Sequence, residues 1–402
     1  MRKELESIII TANSPGEISG WAEPLIKKIK EIYPHTEIYI VLLPCVFSSG
    51  AEKEVASHIE GVVKIFSPGS IWSLIFKKSK YFTSNAVILH LGGDIMYAAL
   101  LARNLKCSAY SYIWANPLWD KHFTGYLVRH KKDKDRLLSQ KISKDKIFTA
   151  GDLIYDAMKS YKTRMKNKEL TVSFLPGSRE IEFKVLAPVF MQVASMLKKE
   201  VEGIRFNLIV SPYLLKSRFL EEQYIMPDEK LKGVRTLVDI ENKELRSDEG
   251  AQIELVSENQ YRQMAKSHFA VCIPGTKTAQ LGALGIPMLT IVPLNRAELI
   301  PYFGLAGLLD YLGGVGRKIK YHLIRKFAKT YGFTAQPNIL AGEYIVPELV
   351  KDLTVEEIYS KVKVYLNNPQ ELVKMSHKLE DVYSRYESAF DRVIDILAGS
   401  KE

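Results

Sequence analysis

The chain has 402 residues, 47% of them apolar and 25% charged, which are values of a folded globular protein and exclude a largely disordered one. This length predicts two domains rather than one. A net charge of +10 favours anionic partners such as nucleic acid, acidic lipid head groups or phosphorylated substrates.

Three widely spaced cysteines, Cys45, Cys107 and Cys272, offer neither a disulfide framework nor zinc spacing, and predict a reducing compartment. The opening Met1-Arg2-Lys3-Glu4-Leu5-Glu6 carries acids and runs straight into a strand, so it does not read as a signal peptide. No apolar run reaches the roughly 18 residues of a spanning helix. The expectation is a cytoplasmic protein able to touch a membrane.

In chain order, short apolar runs alternate with helical segments. Strands are predicted at 7–11, 37–43, 62–66, 86–91 and 108–114, with an amphipathic helix at 21–33. The stretch 130–146 is polar and basic, and 159–168 reads as an interdomain linker. Strands are predicted again at 171–175, 205–211, 253–256, 269–273 and 287–292, with a helix from Glu180 onward. The polar stretch 233–250 reads as an inserted loop, and 354–397 as helical. Alternating strands and helices imply βαβ units and parallel sheets in both halves.

Ligands of parallel sheets bind beyond the carboxyl ends of the strands, so four loops matter most. The first is Asn13-Ser14-Pro15-Gly16-Glu17-Ile18-Ser19-Gly20, whose small residues allow close approach and whose Glu17 could bind sugar hydroxyls; a plain turn is the alternative. It lacks the G-x-G-x-x-G pattern of a dinucleotide site. The second, Leu91-Gly92-Gly93-Asp94, delivers a carboxylate suited either to general-base work or to capping a helix at Ile95. In the third, Pro176-Gly177-Ser178-Arg179, a glycine, a hydroxyl and an arginine open a helix, as an anion site would. The fourth, Pro274-Gly275-Thr276-Lys277-Thr278-Ala279-Gln280, could hold a diphosphate but lacks P-loop spacing. For both, a capped helix is the alternative.

The eight histidines form no metal-ligand spacing, and His90 reads as a core histidine. Segments 70–82 and 316–333 pair apolar residues with basic ones, which suits an anionic membrane surface or ordinary core helices. No nucleic-acid motif accompanies the charge.

Three stretches resemble the lipid-A-disaccharide synthase family: Phe174-Leu175-Pro176-Gly177-Ser178-Arg179-Glu180-Ile181-Glu182; Gly275-Thr276-Lys277-Thr278; and Gln336-Pro337-Asn338-Ile339-Leu340-Ala341-Gly342-Glu343 with Val346-Pro347-Glu348-Leu349. The resemblance implies an α/β fold of two Rossmann-like domains with a cleft between them (the GT-B fold). The domains expected are 1–165, joined by a C-terminal helix at 375–402, and 166–374. It implies an inverting glycosyltransferase that moves an acylated glucosamine-type sugar from a UDP donor to a lipid-linked sugar at the inner face of the cytoplasmic membrane.

Arg179, Gly275, Thr276, Thr278 and Asn338, with Ser178 and Gln280 of the same loops, are then expected around UDP. Asp94 falls at the family's candidate catalytic aspartate. Gly16, Glu17 and Ser19 match the G-E-x-S-G loop on the acceptor side. The UDP-sugar is a substrate, and no metal or separate cofactor is implied. A homo-oligomer is allowed. The chain departs from the family pattern at Trp21, Asp152, Gln280 and Glu343. Two other readings stay open: a UDP-sugar epimerase or hydrolase on the same scaffold, and a non-catalytic nucleotide-sugar-binding relative.

Overall fold

A run such as Ser7-Ile8-Ile9-Ile10-Thr11-Ala12 is buried at every position, so as a strand it must be covered on both faces. That requirement shapes the computed structural model, which describes residues 5–44, 52–77, 81–82, 85–163, 166–211, 214, 224–299, 332–385 and 389–399. The chain divides into one unit of Met1–Ala157 with Tyr386–Glu402 and a second of Met158–Arg385.

The first unit holds β1 (Ser7–Ala12), β2 (Glu37–Leu42), β3 (Val62–Phe66), β4 (Ala86–His90), β5 (Ser108–Tyr112), β6 (Gly125–Val128) and β7 (Ile147–Thr149). All pair in parallel in the order β3-β2-β1-β4-β5-β6-β7. Alternation along β1 sends Ile8 and Ile10 into one core, with Leu25, Ile29 and Val393, while Ile9 enters the other, with Leu74, Ile88 and Leu101. The strand order reverses between β1 and β4.

The second unit holds β8 (Thr171–Leu175), β9 (Arg205–Ile209), β10 (Tyr224–Ile225), β11 (Thr236–Asp239), β12 (Glu244–Ser247), β13 (Gln252–Val256), β14 (Phe269–Cys272), β15 (Met288–Pro293) and β16 (Glu348–Lys351). Its parallel portion runs β13-β9-β8-β14-β15-β16, and β10, β11 and β12 extend it antiparallel beyond β13. Here the reversal falls between β8 and β14. The helix Glu180–Lys198 covers this sheet, stacking Phe190 on Phe174 with ring centroids 4.8 Å apart.

Several expectations are corrected. The stretch 233–250 is not a loop; it contains β11 and β12, antiparallel strands that bury Thr236, Val238 and Leu245 and leave the rest half-buried, which hides their pattern. The basic stretch 130–146 folds as the helix Lys131–Ser139 before β7. The helix expected at 21–33 begins earlier. A capped turn, Pro15–Glu17, leads into a π-helical turn, Ile18–Ala22, and then the helix Glu23–Ile32. Pro24 has no N–H to bond the preceding turn, which accounts for the widening.

The sequence predicts a domain boundary at 165 and a return of the chain at 375; the compact units change over after Ala157 and after Arg385. The helix Pro369–Tyr383 stays with the second unit, where Ser376 donates to the Gly285 carbonyl at 2.7 Å. The helix Ala389–Leu397 returns to the first, where the Phe390 N–H donates to Asp156 at 2.8 Å.

A Cβ on Gly282 would lie 2.6 Å from the ring of the fully buried Tyr383. Gly282→Ala should therefore destabilise the second unit by about 1–3 kcal/mol, the usual range for overpacking. Urea denaturation followed by hydrogen exchange of that unit measures it, and an unchanged midpoint would refute the tight packing.

Candidate functional site

A reversal of strand order sends neighbouring connections to opposite faces of a sheet and opens a crevice at the strands' carboxyl ends. In the first unit the flanking strands are β1 and β4, so the flanking loops are those of Glu17 and Asp94. In the second they are β8 and β14, which lead into the Ser178–Arg179 and Gly275–Thr278 loops. Each pair of loops singled out in the sequence therefore lies at a reversal point.

In the first unit, Ser14 and Glu17 form a capping box. Glu17 Oε2 accepts from the N–H groups of Asn13 at 2.8 Å and Ser14 at 3.1 Å. A Cβ on Gly92 would fall 2.0 Å from this carboxylate, so only glycine lets the β4 loop lie against Glu17. Gly93 turns with φ +94°, and Asp94 follows, exposed. Asp94 caps the helix Ile95–Leu105, with Oδ1 accepting from the Met96 N–H at 2.9 Å. Among the described residues its Oδ2 accepts no protein hydrogen bond. Ser19 donates to the Pro15 carbonyl at 2.8 Å and stiffens the Gly16 turn. Beneath the loops, fully buried His90 meets Thr11 Oγ1 at 2.8 Å through Nδ1, and burial lowers its pKa to about 3, so it is a neutral core residue.

In the second unit the sequence predicts that the Ser178 and Arg179 N–H groups and the Arg179 guanidinium face a phosphate. The structure gives them an internal partner. Glu182 Oε2 accepts from the Ser178 N–H at 2.8 Å and the Arg179 N–H at 2.9 Å, and Oε1 accepts from Arg179 Nε at 2.7 Å and from Nη2. Burial raises the Glu182 pKa, and the Arg179 charge opposes that rise. Glu182 was missed as a functional residue, although its spacing three after Arg179 is that of a capping box.

Gly275, at φ +143°, opens the helix Thr276–Ala283 and would have nothing within 4 Å of an added Cβ, so the space above it is free of described residues. Thr278 is fully buried; its hydroxyl donates to the Gly275 carbonyl at 2.8 Å and accepts from the Gln336 N–H at 3.2 Å. That bond ties the third resemblance stretch to this turn.

Asn338 is also fully buried. Its amide donates to the Val346 carbonyl and to Glu348 Oε1, and its oxygen accepts from the Ile345 and Val346 N–H groups. Its four bonds are internal, so Asn338 shapes the turn. Gln280 is buried, donating to the Tyr261 hydroxyl at 3.3 Å and leaving Oε1 without a partner. Lys277 is a further residue at this turn. Its ammonium donates to Gln260 Oε1 at 2.7 Å and lies 5.3 Å from the Tyr261 ring centre, and desolvation lowers its pKa to about 7.

The departures from the family pattern have local roles. Trp21 packs edge-on against Tyr112 with centroids 5.3 Å apart, and Asp152 caps the helix Leu153–Lys159. Glu343 is exposed. Of the two candidate membrane segments, 316–333 lies almost wholly outside the described residues. In the other, the helix Ile71–Phe76 buries Ile71, Leu74 and Ile75 but exposes Trp72 and Phe76, 47% and 76% accessible and stacked 5.9 Å apart. Among the described residues no helix is long and apolar enough to cross a membrane, and no cluster of three metal-ligating side chains occurs.

No protein-family profile matches the chain. It is similar to the lipid-A-disaccharide synthase of Wigglesworthia glossinidia brevipalpis, 23% identical over 209 residues that cover 52% of this chain and 43% of that protein. It is likewise similar to the lipid-A-disaccharide synthase of Francisella philomiragia subsp. philomiragia, 23% identical over 385 residues, 88% of this chain and 89% of that protein. The chain thus spans less than half the length of the first relatives it matches and most of the length of others. The family resemblance read from the three motifs is supported.

Among solved structures, the S. aureus MnaA-UDP co-structure has a TM-score of 0.56 at 14% identity, covering 97% of this chain and 95% of that one. UDP-GlcNAc 2-epimerase from Neisseria meningitidis bound to UDP-GlcNAc gives 0.55 at 12%, covering 98% and 99%. Acinetobacter baumannii MurG gives 0.50 at 12%, covering 98% and 99%. At such identities they speak for the fold alone, which is the expected α/β GT-B type with two Rossmann-like units.

Burial raises the Glu17 pKa to about 7, and the Asn13 and Ser14 donors offset part of that desolvation. The folded state therefore favours the neutral carboxyl. Stability falls as pH rises from the ordinary carboxylate range through 7, because ionisation is harder in the folded protein than in the unfolded one. Glu17→Gln keeps an acceptor for both N–H groups and removes that loss. The variant should gain about 1–3 kcal/mol over the native chain at pH 8, a figure discounted for the partial exposure of Glu17, and about nothing at pH 4.5. Urea denaturation at both pH values checks this; an equal difference at each would rule out the buried-carboxyl account.

Proposed function

We propose that this relative of the lipid-A-disaccharide synthases is an inverting glycosyltransferase. In this reading it moves a glucosamine-type sugar from a UDP donor to a lipid-linked sugar acceptor. The observation that carries the reading is the pairing of loops with reversal points: Glu17 and Asp94 at one, Arg179 and the Gly275–Thr278 turn at the other. The second unit is the donor side, and the first is the acceptor side.

On the donor side, Gly275 and Thr276 offer the diphosphate backbone N–H groups at the start of a helix, where the peptide dipoles favour negative charge. Ser178 adds a hydroxyl and Arg179 a guanidinium held in place by Glu182. Lys277 supplies a proton-accepting amine beside the same turn. Thr278, Gln280 and Asn338 act beneath the ligand and keep the turn in shape.

On the acceptor side, Gly16, Glu17 and Ser19 form the rim that binds acceptor hydroxyls. Asp94, with Oδ1 committed to its helix, uses Oδ2 to take the proton from the attacking hydroxyl. The freed oxygen forms a bond to the anomeric carbon on the face opposite the diphosphate. The bond from that carbon to the phosphate oxygen breaks, and UDP leaves with the electron pair toward Arg179 and the helix start. Glu17 is a second candidate for the base, because burial brings its pKa near neutrality. The stacked, exposed Trp72 and Phe76 are the contact with an anionic membrane that presents the acceptor.

Incubating the protein with a panel of UDP-sugars and membrane lipid extract, with mass spectrometry of the products, tests the reaction. A new glycolipid together with UDP is expected; donor turnover without one would favour an epimerase or hydrolase. Asp94→Asn should lower transfer by about 10²- to 10⁴-fold with UDP binding kept. If Glu17→Gln produces that loss and Asp94→Asn does not, the base is Glu17.

The joint change Trp72→Ser and Phe76→Ser should weaken co-sedimentation with phosphatidylglycerol vesicles by roughly tenfold or more while leaving UDP affinity unchanged. Equal sedimentation would exclude this helix as the membrane contact.

A further inference from the structure

The segment leaving β5 is built differently from its neighbours. Ile113 has φ +57°, the left-handed region, which a β-branched side chain enters only under constraint. The constraint is visible. The Ile113 N–H donates to the Leu127 carbonyl at 2.8 Å, and the Ile113 carbonyl accepts from Arg136 Nη2 at 2.5 Å. The Trp114 N–H donates back to the Tyr112 carbonyl at 2.8 Å, and the Trp114 carbonyl accepts from the Ser111 hydroxyl at 2.7 Å.

The consequence of this strained turn is the placement of one side chain. Trp114 is turned out at the carboxyl edge of the sheet, 41% accessible, with the Arg136 guanidinium carbon 5.7 Å from its ring centre. Arg136 is itself held by the Ile113 carbonyl and lies 3.5 Å from Asp133. The indole is thus steadied from within its own unit while much of it stays accessible. β5 pairs with β4 with Ser111 opposite His90, so the segments leading to Trp114 and Asp94 leave the sheet from adjacent strands at the same edge.

Ile113 itself is buried in the core, yet the turn it makes leaves the next side chain accessible. The turn presents an indole to solvent from the strand next to the one that leads to the proposed base. An indole face is electron-rich, and the C–H bonds on one face of a pyranose ring are polarised positive by their oxygens, so the two stack. We propose that Trp114 is the stacking platform for the sugar ring of the acceptor, positioned by the strained Ile113 turn and Arg136. This rests on the reading of the first unit as the acceptor side.

The test uses the full chain with Trp114→Ala and the milder Trp114→Phe. Transfer assays should show the acceptor KM raised roughly tenfold or more in Trp114→Ala, UDP affinity unchanged, and much of the loss restored in Trp114→Phe. An unchanged acceptor KM overturns the proposal, as does an equal loss of vesicle binding, which would make Trp114 a lipid contact.

Should no transfer be found with any acceptor, titration with glucosamine 1-phosphate decides separately. Tryptophan fluorescence should change in the native chain and not in Trp114→Phe. Such a change without transfer upholds the platform and removes the transferase reading. Binding with the same fluorescence change in both proteins, or no binding at all, removes the platform.

Discussion

The proposed function depends on where the parallel portions of two sheets reverse their strand order. Crossover connections between parallel strands share one hand, so strands added on either side of β1, or of β8, send their helices to opposite faces. A crevice is left at the carboxyl ends of the central pair. Because β1, β4, β8 and β14 are buried along nearly their whole length, the candidate residues sit in loops that these strands hold still. The chain builds this arrangement twice, with unrelated side chains.

A second constraint is shared by both units. The turn after the first strand of each sheet exposes backbone N–H groups at a helix start, and in each a glutamate three residues into the helix gathers them. Glu17 takes the donors of Asn13 and Ser14, and Glu182 those of Ser178 and Arg179. In both, a glycine beside the carboxylate has no room for a Cβ: Gly92 in one unit, Gly177 in the other. The difference is charge. Glu182 is met by a guanidinium, whereas Glu17 is met only by neutral donors, so the ordinary ionised state is harder to reach at Glu17. One motif thus makes a loop braced by an ion pair on one side and a loop holding a carboxyl of raised pKa on the other.

Much of the architecture was legible in the chain itself. The runs at β1, β8 and β14 announce buried strands because every residue in them is apolar or small. The antiparallel extension was not legible. β11 and β12 bury one face sparsely, and their Asp, Glu and Arg residues look like loop composition until pairing is seen. The π-helical turn at Ile18–Ala22 was also hidden, since it reflects a missing N–H at Pro24 rather than any apolar period.

For the candidate site, residue types and their loops follow from sequence: a carboxylate after two glycines at Asp94, and a hydroxyl and arginine at a helix start in Ser178 and Arg179. The reason is local, because turns, caps and strand periods are set by neighbours in the chain. Only tertiary structure decided how those residues are engaged. It committed the four bonds of Asn338 to a turn, spent the Thr278 hydroxyl on tying Gln336 down, gave Arg179 to Glu182, and buried Glu17 against Gly92. The Thr278–Gln336 bond and the Glu17–Gly92 contact depend on segments far apart in the chain meeting in space, whereas the Arg179–Glu182 and Asn338 bonds join near neighbours. Whether a polar atom is free for a ligand is a property of that meeting, and no single stretch of sequence contains it.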